Sequence, residues 1–241
     1  MYTNVMGADP DLPVKESGDI RRITPFQSWF GFYRWQHVYL MVLYGVLGIK
    51  SRIQDITDTI LDGTNGAIRV NQQSVRDLAM HAASKSFWVL YRILLPLYVF
   101  GVDTMGFWIT FFIAEFTTGY YLAFNFQVSH VSPAAVWPDI TQQMSDEWAI
   151  NQMHTSVDYG HDSWLATFLS GALNYQSVHH LFPSVSQYHY PAIAPIVKQV
   201  CEKYGVRYNY LSSFAAAFHA HVAYLKEMGT AAAVDTHAHH M

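Results

Sequence analysis

The apolar positions of this chain gather in blocks set between polar stretches. Residues 1–25 are polar, with Asp9, Pro10, Asp11 and Pro13 supplying turn chemistry. Residues 26–49 open with aromatic residues among polar ones (Trp29, Phe30, Phe32, Arg34, Trp35, Gln36, His37) and close on an apolar run from Val38 to Ile49. Crossing a bilayer takes about 20 apolar residues, so this shorter run predicts an interfacial or membrane-embedded helix with aromatic anchors. Residues 50–86 are hydrophilic. Asp62-Gly63 and Asn65-Gly66 are turn signals there, and the alternation of charged and apolar groups from Ile53 to Leu61 predicts a surface helix.

Two apolar runs come next, residues 87–100 with Arg92 and Pro96, and residues 107–126 with Glu115 as their single acid. The short connection between them contains neither Lys nor Arg. The pattern predicts a transmembrane hairpin over 87–126. Lys50, Arg52, Arg69, Arg76 and Lys85 make the preceding loop basic, which sets that loop and everything after 127 on the cytoplasmic side. Residues 131–170 form a polar connection, and 191–228 read as two amphipathic helical stretches. The expected fold is therefore an all-α membrane protein: a transmembrane helical hairpin plus a cytoplasmic helical cap over 127–228.

Composition sharpens this picture. The chain of 241 residues is 51% hydrophobic and 16% aromatic but only 13% charged, about half the charge of a soluble domain. Mean hydropathy is only +0.07, which fits a membrane protein with sizeable polar lobes. A net charge of −4 gives no general basic character, and nucleic acid is not an expected partner. The one cysteine, Cys201, excludes an intrachain disulfide and fits a reducing compartment. The first residues have neither a basic nor an apolar region of the kind a signal peptide needs.

Candidate chemistry centres on Gln176, His179 and His180. On a helix, side chains three and four apart are neighbours, so an amide and two imidazoles would point into one volume. Imidazole is the commonest ligand for a transition metal, although adjacent histidines by themselves are more often solvated or core residues. His130 ends the second apolar run, where a histidine is usually interfacial. Glu115 and Arg92 are ionisable groups within apolar runs, read equally as a substrate-tunnel residue or as each other's partners. His154 and His161 read as structural or exposed, and His189 as a stacking residue. His219 and His221, two apart, cannot face each other on a helix.

The phrase Asn-Tyr-Gln-Ser-Val-His-His-Leu-Phe-Pro at 174–183 resembles the third histidine box of the membrane fatty acid desaturases. It is most similar to their front-end branch, where glutamine replaces the first histidine of the His-x-x-His-His pattern. Residues 184–195 and 200–208 resemble the tail of that branch, and residues 2–12 resemble the phrase that comes after its second box. The resemblance covers nearly the whole chain. It implies a partial desaturase domain that begins just after the second box, with the first two boxes and the cytochrome b5 domain absent.

The resemblance also implies a chemistry. Under it His179, His180 and, through the match Asn-Phe-x-Val-Ser-His at 125–130, His130 would be ligands of a di-iron centre. Gln176 takes the altered ligand position and is the candidate catalytic residue. Electrons would come from cytochrome b5 and its reductase. The substrate would be a fatty acyl-CoA or a phospholipid acyl chain, in contact with membrane lipid. The setting implied is the endoplasmic reticulum, with the metal site on the cytoplasmic face. Front-end members place a cis double bond between an existing one and the carboxyl end; Asn-Tyr-Gln with Ser-Gln-Tyr-His-Tyr-Pro leans to Δ5 on C20 chains, with Δ4 and Δ6 as alternatives. Three histidines do not make a di-iron set, so this chain alone is expected to be inactive. A related di-iron hydroxylase would carry histidine at 176, and a membrane scaffold would purify without iron.

Overall fold

The structure, a computed structural model, describes residues 3–9, 12–65, 68–138 and 147–231. The sequence signals at Pro10, Asp11 and Gly66, and the histidine-bearing tail, lie outside these residues. In chain order the elements are α1 (Gln36–Gly45), α2 (Leu47–Ile56), β1 (Thr64–Asn65), β2 (Ile68–Arg69), α3 (Val75–Val89), α4 (Thr104–Gln127), α5 (Trp148–His154) and β3 (Asp158–Tyr159). They continue as α6 (Trp164–Leu169), α7 (Gln176–Leu181), α8 (Tyr190–Tyr204), β4 (Tyr210–Leu211) and α9 (Phe214–Thr230). The chain forms two compact units, Met1–Val42 with Ala123–Met241, and Leu43–Leu122.

Local chemistry starts and stops these helices. Ser74 and Asp77 cap each other's backbone at the start of α3. The hydroxyls of Ser163 and Ser213 accept the backbone N–H groups of Ala166 and Ala216, which opens α6 and α9. The αL residue Gly205 ends α8.

In the first unit, α9 is locked to the N-terminal segment. Arg22, fully buried, donates to the carbonyls of Met228 and Ala231 near the end of α9 and to those of Pro25 and Gln27. The Gln36 amide bridges the Arg22 and Leu225 carbonyls. A Cβ at Gly229 would lie 2.2 Å from the Tyr33 carbonyl oxygen, so only glycine permits this approach. A second core joins α5, α7 and α8 through Met153, Tyr175, Val178, Tyr190, Val197 and Cys201. The short strands β3 and β4 pair in parallel, Asp158 opposite Tyr210.

In the second unit, a Cβ at Gly119 would lie 2.1 Å from the Gly45 carbonyl oxygen, and one at Gly45 would lie 2.3 Å from the Phe116 ring. These contacts bring α4 against the end of α1, backbone to backbone. Glu115 is buried beside them. Arg52 grips it at 3.1 and 3.3 Å, while Arg92 stands 3.8 Å away. Its main partner is therefore Arg52 rather than Arg92.

The expected transmembrane hairpin is not what the chain builds. Among the described residues, no helix is long and apolar enough to cross a membrane. The first expected arm continues α3 as a π-helical stretch, Leu90–Val99, around Arg92 and Pro96. The α3 part of that helix carries Arg76, Asp77, His81 and Lys85. The second arm, α4, has 24 residues, roughly 36 Å at 1.5 Å per residue, so it is long enough. Its apolar character is diluted by Glu115, four threonines, Tyr120, Tyr121, Asn125 and Gln127. The orientation drawn from the basic loop loses its footing with the hairpin. Segment 26–49 forms a 3₁₀ turn, Gly31–Trp35, then α1 and the start of α2, with Phe32 and Trp35 exposed.

Candidate metal centre

Helix α7 presents Gln176 and His180 one turn apart, and His130 comes from the turn that ends α4. The Gln176 amide nitrogen lies 3.0 Å from His130 Nε2 and 2.8 Å from His180 Nε2. The two imidazole rings meet edge to face, 5.0 Å between centres. Two imidazole nitrogens from distant parts of the chain therefore converge on one point, where an NH₂ group donates to both.

The opposite edge of each ring explains why both Nε2 atoms are acceptors. His130 Nδ1 lies 3.3 Å from the Thr155 carbonyl, which can only accept. His180 Nδ1 lies 3.1 Å from Gln152 Oε1, an oxygen that also accepts the Thr3 hydroxyl at 2.9 Å. The proton of each ring thus sits on Nδ1, and the Nε2 lone pairs face inward. Oxygen partners of this kind fix the tautomer and orientation of metal-binding histidines.

The surroundings hold this arrangement in place. Asn4, at φ 59°, directs its amide at the carbonyls of His130, Val136 and Thr155, each 3.2 Å away. Its own backbone N–H is accepted by Asp9 at 2.7 Å. His221, buried, donates from Nδ1 to the Val131 carbonyl at 2.8 Å.

Burial, and next to it the neighbouring imidazoles of His130 and His179, push the His180 pKa down to about 2. Burial likewise pushes His221 down to about 4, opposed in part by its bond to Val131. His180 is therefore neutral at physiological pH, the state a metal ligand requires. A cavity of about 40 Å³ opens on the site, lined by Thr3, Asp9, His130, Gln176, His179 and His180, with Leu12, Phe126 and Leu173 as its apolar wall. That volume holds a water or an ion but not an acyl chain.

His179 lines the same cavity but turns its Nδ1 to the Tyr190 hydroxyl, 3.2 Å away. Among the described residues, no three His, Cys, Asp or Glu side chains form a group able to hold a metal ion. The site is a two-imidazole pole with an amide between. Iron fits this pole, because both nitrogens face inward and are backed by oxygen acceptors, but the pole is not a complete ligand shell. Gln127, three residues before His130, accepts from the Arg21 guanidinium at 3.1 Å. His161 stacks on Tyr175, His189 packs edge-on against Tyr188, and His219 is exposed.

Thr3, Gln152 and Thr155 carry no signal in the sequence. They belong to stretches without periodicity or motif, and they become neighbours of the histidines only through the tertiary fold. The N-terminal loop was the one hint, through the position of residues 2–12 in the family pattern.

Comparison with known proteins gives this constellation its context. A family model for fatty acid desaturases matches residues 1–212. The chain is similar to Delta(5) fatty acid desaturase A of Dictyostelium discoideum, 44% identical over 95% of this chain and 50% of that protein. It is also similar to an acyl-lipid (8-3)-desaturase of Mortierella alpina, 42% identical over 95% of this chain and 51% of the relative. An sn-1 linoleoyl-lipid 6-desaturase of Arthrospira platensis is 31% identical over 94% of this chain and 61% of its own length. The chain spans about half the length of the first two relatives. No solved structure matches it.

Proposed function

Because the chain belongs to the fatty acid desaturase family, we propose that it supplies part of the di-iron site of a front-end acyl-lipid desaturase, with His130, His179 and His180 as iron ligands and Gln176 beside them. One observation carries the reading: the Nε2 atoms of His130 and His180 face a common point at 3.0 and 2.8 Å from the Gln176 amide nitrogen. Bound iron supplies the dioxygen chemistry that removes hydrogen from an unactivated alkyl chain, which side chains cannot do.

The chain's own residues have narrower tasks. Gln152 and Thr155 hold a proton on each Nδ1, so that the Nε2 lone pairs face inward toward Gln176. Gln176 donates to both rings and would stand beside a metal ion held by them. Leu12, Phe126 and Leu173 keep bulk water from one side of the cavity.

On this reading the complete enzyme inserts a cis double bond between an existing one and the carboxyl end of a polyunsaturated chain carried on CoA or phospholipid. Cytochrome b5 and its reductase supply electrons. The name of the Dictyostelium relative favours Δ5, and the preference for C20 chains rests on the resemblance of the motifs at 174–176 and 186–191. The family is generally membrane-bound, and we place the protein at the endoplasmic reticulum with the site facing the cytoplasm. The exposed Phe32 and Trp35 support an interfacial role for segment 26–49.

Co-expression with the N-terminal half of the Dictyostelium Delta(5) desaturase A in a yeast fed C20 acids tests the proposal. Gas chromatography should find the Δ5 product with the wild-type chain, none with His180→Ala, and none from this chain by itself. Undiminished product from a His130→Ala, His180→Ala double variant would overturn it.

A further inference from the structure

Outside the cavity lies a fully buried carboxylate, Asp158, in β3. Its Oδ1 accepts the backbone N–H of Ser177, in the first turn of α7, at 2.7 Å. Its Oδ2 accepts the Tyr208 hydroxyl at 2.5 Å. His161 Nε2 lies 3.2 Å from the same oxygen but out of line for a hydrogen bond. The His161 ring lies flat on Tyr175, 4.0 Å between centres and 12° between planes, and Tyr175 donates back to the His161 carbonyl at 3.2 Å. Tyr175 is the residue immediately before α7, and its side chain makes no cap of its own.

The backbone around Asp158 is equally fixed. Asp158 N–H donates to the Asn209 carbonyl at 3.0 Å. The Asn209 amide in turn donates to the carbonyls of Met153, His154 and Ser156 at 3.2, 3.3 and 3.1 Å. Three segments thus meet at one carboxylate: α7 with Gln176 and His180, the stretch 152–158 with the acceptors Gln152 and Thr155, and the stretch 208–211. Burial, then the charge of Asp158, raises the Tyr208 pKa far above the usual phenol value, so its hydroxyl remains a donor.

Leaving a carboxylate dry is costly unless its oxygens are hydrogen-bonded, and a serine or threonine would cap Ser177 N–H at lower cost. What the carboxylate adds is a second oxygen that ties α7 to Tyr208. A six-residue helix has little packing of its own to set its direction. We propose that Asp158, held by Tyr208 and flanked by His161, is the positioning residue that aims Gln176 and His180 at His130. For what the site binds, this rests on the function proposed above; for the geometry, it does not.

The test is ¹⁵N imidazole spectroscopy of the metal-free chain, then Co(II) titration read by visible absorption. Tyr208→Phe keeps the ring and removes one donor, Asp158→Ala removes the carboxylate, and Asp158→Asn retains an acceptor for Ser177. The control is Tyr224→Phe, which deletes another buried hydroxyl, the one bonded to the Ile23 carbonyl. The wild type and control should show His130 and His180 as Nδ1–H tautomers. Tyr208→Phe and Asp158→Ala should show mixed tautomers at unchanged helical circular dichroism and bind Co(II) about tenfold more weakly, with Asp158→Asn between them and the wild type. Wild-type tautomer signals in Tyr208→Phe overturn the proposal. A wild type that ignores Co(II) sinks the metal reading instead, and the tautomer comparison then decides the positioning role by itself.

Discussion

The two units of this chain handle polar groups in opposite ways. In the first, the interior is full of them: Thr3, Asn4, Arg22, Gln36, Gln152, Asp158, Gln176 and His221 are all nearly or fully out of solvent. Most of their donors and acceptors meet at named distances, and a buried network so satisfied fixes one arrangement. In the second, Glu115 is the one buried acid among the described residues, while Phe87, Val99 and Ile113 stand more than 60% exposed. The contrast teaches where chemistry resides. The unit that spends its interior on hydrogen bonds is the one that aims imidazoles.

The sharpest way to break the comparison is to unbalance the second unit's buried charge. Arg52→Met leaves Glu115 with only Arg92, 3.8 Å away. Removing one partner of a buried pair costs about 3–5 kcal/mol. Urea unfolding should show that loss, with the His130 and His180 tautomer signals unchanged.

In the first unit, pH offers a finer lever. His221 has its folded pKa depressed from 6.5 to about 4, so the unfolded chain binds a proton first as pH falls. Stability attached to this group is intact above pH 6.5 and drains away as pH drops toward 4. His221→Gln keeps a donor for Val131 but cannot titrate. Its stability loss between pH 7 and pH 5 should be smaller than the wild type's by about 2 kcal/mol.

A narrower effect is expected at Gln152, the acceptor behind His180. Gln152→Leu should weaken Co(II) binding about tenfold in a visible-absorption titration, the lower end for loss of a partner behind a ligand. The smallest effect belongs to Tyr39, whose hydroxyl donates to the Ile20 carbonyl in an exposed setting. Tyr39→Phe should cost under about 1 kcal/mol and leave both the tautomers and Co(II) binding untouched.

Part of this was legible in the sequence. The spacing of Gln176 and His180 put them on one helix face, and α7 does so. His179 shows the limit of that reasoning. Successive residues on a helix point about 100° apart, so His179 and His180 cannot both aim at the point Gln176 occupies, and His179 faces Tyr190. The family pattern singled out His130, which spacing could not, since its partner lies 46 positions away. Gln152 and Thr155 were illegible because a carbonyl or an amide behind an imidazole leaves no periodic mark. The hairpin failed for a different reason. Its apolar runs were visible, but helix bounds decide whether apolar residues suffice, and α3 enters its run from a charged stretch while α4 carries Glu115, threonines and tyrosines.

The central claim is that His130 and His180 present inward-facing Nε2 atoms to a single ion. Its most direct test is the ¹⁵N imidazole spectrum of the intact chain recorded while Co(II) is added. The account predicts Nδ1–H tautomers for both rings beforehand, and paramagnetic broadening of both Nε2 signals together, at the first additions of metal. A ring found protonated at Nε2, or Co(II) that broadens one ring and spares the other, would contradict it.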